Sequence, residues 1–284
     1  MGALSDRVVL ITGASMGIGL AIARQCAEEG ARLVLASRHM EDLERALEGL
    51  KRNGSAHICR SIDVGNADEV SMAAQAVKKE FGRIDGLVNC AGVYGPIGRL
   101  DEIDPNAFRE AINVNLLGTF NMCHYFLPLL KKSSRGKIVN YSGGGAATPF
   151  PNYSAYAVGK TGVVRLTENI ALEFRGENID INAVAPGFVI TRLHQDTLKA
   201  GKAAGEGFLK STKEQIEKGG VSPGLSARLT VFLLSGLSDG ITGKFISAPW
   251  DPWEEKGFIE RLKTDRDYAT LRRIDNKTFF KREG

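Results

Sequence analysis

The stretch Arg7-Val-Val-Leu-Ile-Thr-Gly-Ala-Ser-Met-Gly-Ile-Gly19 decides the fold class of this chain. Its first half is a continuous apolar run, which is typical of a parallel strand buried on both faces. The run leads directly into Gly13, Gly17 and Gly19, and a helix follows that ends at Gly30. Strand, glycine turn and helix in this order predict a dinucleotide-binding unit. Glycines let the backbone approach a pyrophosphate, and the helix N-terminus offers free N–H groups.

Strands and helices alternate along the rest of the chain, which predicts an α/β fold. Apolar runs predict strands over residues 7–12, 31–37, 56–62, 84–89, 137–142, 179–185 and 241–247. One helix is expected over 40–53, and another begins at Asn66 or Ala67. A long helix is expected to begin at Pro105, and Pro128 should end or kink it. A further helix is expected from Pro223 through Ser235.

A second stretch, from Lys137 to Lys160, carries candidate chemistry. A strand is followed by a loop rich in glycine and proline, and a helix then opens near Asn152 or Ser154. Tyr156 and Lys160 are four residues apart on this helix and therefore share one face. An ammonium beside a phenol lowers the pKa of the phenol, and such a tyrosine can exchange a proton with a carbonyl oxygen or an alcohol. The alternative is an ordinary pair on the helix surface.

Together, Thr12-Gly-x-x-x-Gly-x-Gly19 and Tyr156-x-x-x-Lys160 resemble the short-chain dehydrogenase/reductase family. Ser142-Gly-Gly-Gly145 marks a variant of the family pattern. The resemblance implies a single doubly wound Rossmann-type domain with a seven-stranded parallel sheet flanked by helices. Residues 1–248 would form this domain, including a substrate loop over 188–220, and residues 249–284 would extend it. It also implies hydride transfer between a nicotinamide and a carbonyl or alcohol, with Tyr156 as acid/base and Lys160 tuning it.

The resemblance further implies a set of cofactor contacts. Besides Tyr156 and Lys160, these are Gly13, Ser15, Met16, Gly17, Ile18, Gly19, Ser37, Arg38, Asp63, Val64, Asn89, Ala91, Gly92, Pro186, Gly187, Val189 (or Ile190) and Thr191. The second strand ends in Ser37-Arg38 with no acidic residue, which favours the 2′-phosphate of NADP; NAD is the alternative. Other interpretations are a solvated Arg38 at a helix start and Asp63 as a helix cap.

Two further catalytic residues are expected from the resemblance. Asn115 matches the residue that helps to hold a water in a proton relay from the active-site lysine, whereas Asn113 is expected to be a structural amide. The family's catalytic serine lies thirteen residues before the tyrosine, which is Gly143 here. We expect the glycine run to let Ser142 reach the substrate. The alternatives are a backbone N–H or another hydroxyl such as that of Tyr153.

The C-terminal third is expected to shape the substrate site. Residues 193–220 predict a mobile lid with a helical piece over 208–218. The charged segment after residue 248, which carries Tyr268 and Phe279-Phe280, predicts a pocket wall, a subunit contact or a poorly ordered end. Gly159 and Gly162 suggest close approach by another backbone, and the resemblance implies a homodimer or homotetramer.

Composition restricts the function classes. The net charge of +4 gives no indication of nucleic acid, and no apolar run is long enough for a membrane helix. The four cysteines and four histidines lack metal-ligand spacing, so we expect no metal and a reduced, cytoplasmic protein acting on a small alcohol or ketone. Two alternatives stay open: an NADP-binding redox sensor without turnover, and a nucleotide-sugar-modifying member of the family.

Overall fold

The computed structural model describes residues 2–50 and 57–274. A parallel sheet is formed by β1 (Val8–Thr12), β2 (Arg32–Ser37), β3 (Ile58–Ser61), β4 (Gly86–Asn89), β5 (Gly136–Tyr141), β6 (Ile179–Ala185) and β7 (Phe245–Ser247). Its seven strands lie in the order β3-β2-β1-β4-β5-β6-β7. The order reverses between β1 and β4, which creates a crevice at the carboxyl ends of these strands. The predicted fold class is confirmed.

Helices cover both faces of the sheet. They are α1 (Gly17–Glu28), α2 (Met40–Glu48), α3 (Ala67–Phe81), α4 (Pro105–Ile112), α5 (Gly118–Leu130), α6 (Ser154–Glu173), α7 (Arg192–Ala200), α8 (Glu206–Glu217), α9 (Pro223–Leu234) and α10 (Lys256–Thr264). All five residues of β1 are buried. Alternate strand residues join separate apolar clusters, since Val9 and Ile11 lie in one and Val8 and Leu10 in the other.

Side-chain caps fix several helix starts. Asp104 accepts hydrogen bonds from the N–H groups of Asn106 and Ala107, and Pro105 occupies the first helical position as predicted. Asn66, and not Asp63, caps α3. The Asp63 carboxylate instead accepts a hydrogen bond from the Gly65 N–H at 2.9 Å, so the interpretation of Asp63 as a helix cap was wrong.

The predicted long helix after Asp104 is interrupted. Residues Asn113–Leu117 form a π-helical turn between α4 and α5. Pro128 lies in the last turn of α5, two residues before its end. A π-helical turn widens the helix and turns its side chains to a new angle, and such turns are frequent at functional sites.

Other boundaries differ from the expectations. The helix from Met40 ends at Glu48, and the predicted residues 51–53 lie outside the described residues, as does the start of the predicted 56–62 strand. β7 is three residues long, not seven. The lid segment contains two α-helices, α7 and α8, joined by a 3₁₀ turn at Gly201–Ala204, whereas one helical piece was expected.

The described part of the C-terminal segment packs on the core. Trp253, Phe258 and Leu262 are buried in the main apolar cluster. The Lys244 ammonium donates hydrogen bonds to backbone carbonyls of this segment at residues 265, 266 and 268. The Phe245 N–H donates to the Ala269 carbonyl at 2.7 Å, so the segment runs beside β7. Residues 249–274 are therefore not a poorly ordered end; Phe279 and Phe280 lie outside the described residues.

Candidate active site

The crevice at the strand ends contains a cavity of about 590 Å³. Segments following β1, β2, β3 and β4 form its walls, together with the start of α7. Most of the predicted cofactor residues line it: Gly13, Ser15, Met16, Gly17, Ile18, Gly19, Ser37, Arg38, Asp63, Val64, Ala91, Gly92 and Thr191. The structure thus brings together residues that are far apart in the sequence.

Glycines keep one end of the cavity clear of side chains. A Cβ at Gly19 would lie 2.2 Å from the Gly13 carbonyl oxygen, and Gly13 itself has φ +66°. Met16, at the N-cap of α1, makes no side-chain capping bond, and the first turn holds no acidic residue. The free N–H groups of α1 and this bare backbone fit the pyrophosphate of a dinucleotide.

Polar side chains surround the other end of the cavity. Ser37 and Arg38 follow β2, and the Ser37 hydroxyl donates to the His39 carbonyl at 3.2 Å. Arg38 is exposed, so its guanidinium is accessible to a ligand. Asp42 also lines this end and pairs with Arg45. His39 and Asp42 were not predicted; only their closeness to Ser37 in the sequence pointed to them.

Six predicted cofactor residues do not line the cavity: Asn89, Tyr156, Lys160, Pro186, Gly187 and Val189. Val189 is buried, and the neighbouring Ile190 lines the cavity instead. Asn89 joins β4 to β5, because its amide donates to Asn140 Oδ1 at 2.9 Å.

The start of α7 contributes residues that the sequence did not single out. Arg192, Leu193 and Gln195 line the cavity next to Thr191. Thr191 is the N-cap of α7 and forms a capping box with His194. In the sequence, Thr191 three residues before His194 indicates the start of this helix, although histidine replaces the glutamate or glutamine that is usual in a capping box.

Lys160 lies directly behind the cavity wall at Gly92, and Tyr156 lies beside Lys160. A Cβ at Gly92, which lines the cavity, would be 3.2 Å from Lys160 Nζ and 2.8 Å from Asn115 Oδ1. Lys160 Nζ donates to the Tyr141 carbonyl at 2.9 Å and lies 5.7 Å from the centre of the Tyr156 ring. Glycine at position 92 therefore lets the cavity wall lie close to Lys160 Nζ and Asn115 Oδ1.

The π-helical turn places Asn115 in this group. Its amide donates to the Val93 carbonyl at 2.7 Å, and its Oδ1 accepts from the Val93 N–H at 3.1 Å. On α6, a Cβ at Gly159 would lie 3.1 Å from Asn115 Cβ, and one at Gly162 would lie 2.9 Å from a Leu116 methyl. The two glycines thus admit the π-helical turn of the same chain.

Burial controls the protonation of both central groups. It lowers the pKa of Lys160 to about 8. It raises the pKa of Tyr156 well above the ordinary value, and Cys90 adds to this effect. The predicted lowering of the phenol pKa is therefore not observed, because loss of hydration disfavours the phenolate.

The structure does not place Ser142 in the expected position. Its hydroxyl is buried and donates to the Lys160 carbonyl oxygen at 3.0 Å. A Cβ at Gly143 would lie 2.5 Å from the Tyr156 hydroxyl oxygen, so residue 143 faces that hydroxyl. Adjacent strand residues point to opposite sides, and the glycine run does not reverse this alternation.

Comparison with known proteins supports the assignment of the fold. The model of the short chain dehydrogenase family matches residues 7–202. Levodione reductase of Leifsonia aquatica is 33% identical over 238 residues, covering 81% of this chain and 88% of that protein. The solved structure of a levodione reductase has a TM-score of 0.80 at 30% identity, covering 88% of this chain and 98% of that one.

A short chain dehydrogenase from Escherichia coli CFT073, solved in complex with NADPH, has a TM-score of 0.77 at 25% identity. This match covers 87% of this chain and 98% of the other. Among the described residues, no group of His, Cys, Asp and Glu side chains is placed to hold a metal, and no helix has the length and apolarity to cross a membrane. The chain belongs to the short-chain dehydrogenase/reductase family, whose members interconvert alcohols and carbonyl compounds with NAD(P).

Proposed function

We propose that this protein is an NADP(H)-dependent oxidoreductase in which Tyr156 is the acid/base for a carbonyl or alcohol substrate. The observation that supports it is the position of Tyr156 and Lys160, buried together behind the Gly92 wall of the cavity. The cofactor, when bound, supplies or accepts the hydride at its nicotinamide. The protein's part is orientation, proton transfer and exclusion of water.

In the reducing direction, the Tyr156 hydroxyl donates its proton to the substrate oxygen as that oxygen gains negative charge. The phenolate left behind is stabilised by the Lys160 ammonium, which is largely protonated at neutral pH because its pKa is about 8. Proton return to Tyr156 runs through Lys160 and a water near Asn115. In the oxidising direction the same groups act in reverse.

We assign Ser142 a positioning role. Its hydrogen bond to the Lys160 carbonyl joins the end of β5 to α6 and so fixes the helix that carries both central residues. The substrate oxygen then lies beside Tyr156 and the backbone at Gly143, with no serine side chain. Loss of the serine favours one second candidate, an NADP-binding sensor that does not turn over.

For cofactor choice we propose NADP over NAD, on the basis of the exposed Arg38 and the Ser37 hydroxyl at the end of β2. A guanidinium binds a 2′-phosphate with two parallel hydrogen bonds. Asp42 at the same end is paired with Arg45, which offsets its repulsion of a phosphate. We further propose that the protein is cytoplasmic and forms a homodimer or homotetramer. Sedimentation analysis would test the oligomeric state.

The testing experiment is a screen of aldehydes, ketones and alcohols, followed by the absorbance of the reduced nicotinamide with each of the two cofactors. On any substrate found, Tyr156→Phe should lower the turnover rate by roughly 10² to 10⁴ while cofactor affinity is kept. Tyr125→Phe, at a half-buried tyrosine on α5, is the matched control. Tight NADPH binding without turnover of any compound would favour the sensor.

A further inference from the structure

An aromatic cluster, formed by Tyr94, Phe150, Tyr153, Tyr156 and Phe208, surrounds the proposed acid/base. The edge of the Tyr94 ring meets Tyr156, with centroids 4.8 Å apart and an interplanar angle of 86°. Tyr94 meets Tyr153 in the same way at 5.0 Å. These separations and angles are those of favourable edge-to-face ring pairs. The tyrosine at the centre of the chemistry is therefore packed among other rings.

The lid contributes the outer side of this aromatic cluster. Phe208 of α8 lies edge-on to Phe150 at 4.8 Å and to Tyr153 at 5.2 Å. Phe150 and Tyr153 are stacked at 4.3 Å. Tyr153 is 0% exposed and Tyr156 is 7% exposed, so the lid and the surrounding rings bury both tyrosines.

Few polar groups surround the aromatic cluster, and the charged ones include Lys160, whose Nζ lies 5.7 Å from the centre of the Tyr156 ring, and Asp196 beside Tyr94. The Tyr153 hydroxyl donates to Thr197 Oγ1 at 2.9 Å. His194 lies edge-on to Tyr94 at 6.3 Å, and burial lowers its pKa to about 4, so it is neutral at physiological pH. Asp196 acts on Tyr94 electrostatically and would repel an anion. Apolar side chains also pack against the cluster, among them Ile97, Leu193, Ala200 and Ala204.

A substrate whose oxygen reaches the Tyr156 hydroxyl must replace ring contacts of this aromatic cluster with contacts of its own. Burying a charged group or a set of hydroxyls there leaves them without partners, which is costly. A flat apolar group instead restores the edge-to-face contacts. The two glycines between α7 and α8, Gly201 at φ +55° and Gly205 at φ +84°, provide backbone freedom for α8 to move aside.

We propose that the site takes uncharged carbonyl compounds and alcohols whose reacting carbon bears an aromatic or similarly flat, apolar group. Phe208 is the specificity-determining residue that the lid supplies. This inference rests on the proposed function, because it assigns the substrate class of the same Tyr156 site. It excludes polyhydroxylated sugars and carboxylate-bearing ketones as preferred substrates.

The test compares four carbonyl compounds with NADPH and with NADH: phenyl methyl ketone, cyclohexyl methyl ketone, a ketohexose and benzoylformate. The value of kcat/KM for the phenyl ketone should exceed those for the ketohexose and for the anion by about 100-fold, as expected when polar groups would be buried unpaired. The kcat/KM for the cyclohexyl ketone should lie between the value for the phenyl ketone and the values for the ketohexose and the anion. Preferred turnover of the ketohexose or the anion, lost in Tyr156→Phe, would overturn this inference while leaving the proposed hydride transfer intact.

Lid variants examine the role of Phe208. Phe208→Ala should raise KM for the phenyl ketone by about 10-fold and leave NADPH affinity unchanged, whereas Phe208→Leu should recover part of the loss. Leu209→Ala, at the neighbouring lid residue outside the aromatic cluster, is the control. An equal effect of Phe208→Ala and Leu209→Ala would contradict the assignment.

A binding measurement separates recognition from turnover. The phenyl ketone should raise the melting temperature of the Tyr156→Phe protein with NADPH, and the ketohexose should not. If no carbonyl compound is turned over with either cofactor by the wild type, the proposed function fails and this inference with it.

Discussion

Gly143 faces Tyr156 so closely that a Cβ on residue 143 would lie 2.5 Å from the tyrosine hydroxyl oxygen. This distance is shorter than any normal contact, so a side chain at this position requires the tyrosine to move. The site therefore lacks a serine at position 143 and also has no room for a side chain there. In this arrangement, residue 143 and the Tyr156 hydroxyl cannot both stay where they are if residue 143 gains a side chain.

We predict that Gly143→Ala lowers kcat by about 10²-fold or more, because the methyl group displaces the acid/base from the substrate oxygen. Gly144→Ala is the matched control, since a Cβ there would meet its nearest atom, in the Phe150 ring, at 3.9 Å. NADPH affinity should be unchanged in both. Wild-type turnover by Gly143→Ala would show that Tyr156 does not act from the position seen here.

The stability of the protein should depend on pH through Lys160. The folded pKa of about 8 is below the ordinary 10.5, so burial of the charge costs free energy below pH 8. Between pH 8 and 10.5 the unfolded chain holds a proton that the folded chain has released, and the free energy of unfolding therefore rises with pH in this window.

Urea unfolding of the wild type and of Lys160→Met measures this effect. The wild type should gain stability relative to Lys160→Met as pH increases from 8 to 10. Lys210→Met, at a side chain that is 81% exposed, is the control. A constant difference between wild type and Lys160→Met would mean that the buried amine does not titrate in this range.

Cofactor choice should depend on Arg38. Arg38→Ala is expected to weaken NADPH binding by about 10-fold or more, because one hydrogen-bonded charge contact is lost. NADH binding should be nearly unchanged. Cofactor fluorescence titration gives both affinities. Arg24→Ala, at an exposed arginine of α1 that does not line the cavity, is the control. Equal affinities for NADPH and NADH in the wild type would refute the proposed preference.

Two tryptophans of the C-terminal segment should behave differently. Trp253 is 5% exposed, packs in the main core and donates its indole N–H to the Ala248 carbonyl at 3.0 Å. Trp253→Ala should lower the free energy of unfolding by about 3–5 kcal/mol. Trp250 is 82% exposed, and Trp250→Ala should change the free energy of unfolding by less than about 0.5 kcal/mol. Similar urea midpoints for both variants would contradict the packing described.

Much of the fold and of the candidate cofactor site could be predicted from local sequence. The apolar run before Gly13 and the glycines after it predict a strand, a turn and a helix without any distant contact. Asp104-Pro105 and Ser222-Pro223 predict helix starts for the same reason. In each case the necessary information lies within a few residues.

The features that could not be predicted depend on distant contacts. The π-helical turn at Asn115 requires Gly159 and Gly162 on α6, more than forty residues later. The Ser142 side chain keeps the direction that strand alternation gives it, and its hydrogen bond to the carbonyl of Lys160 is a contact that the glycine run could not indicate. The pKa of Tyr156 depends on burial, and a pattern of spacing does not report burial.

The contact between Phe245 and Ala269 has a consequence for aggregation. β7 is the last strand of the sheet, and such a strand offers unpaired backbone groups to any other chain that approaches it. The C-terminal segment occupies the Phe245 N–H through the Ala269 carbonyl and so blocks strand addition from a second molecule. A protein shortened to residue 248 would expose this edge and would also lose Trp253, Phe258 and Leu262 from the main core. We expect such a protein to precipitate through intermolecular β-pairing.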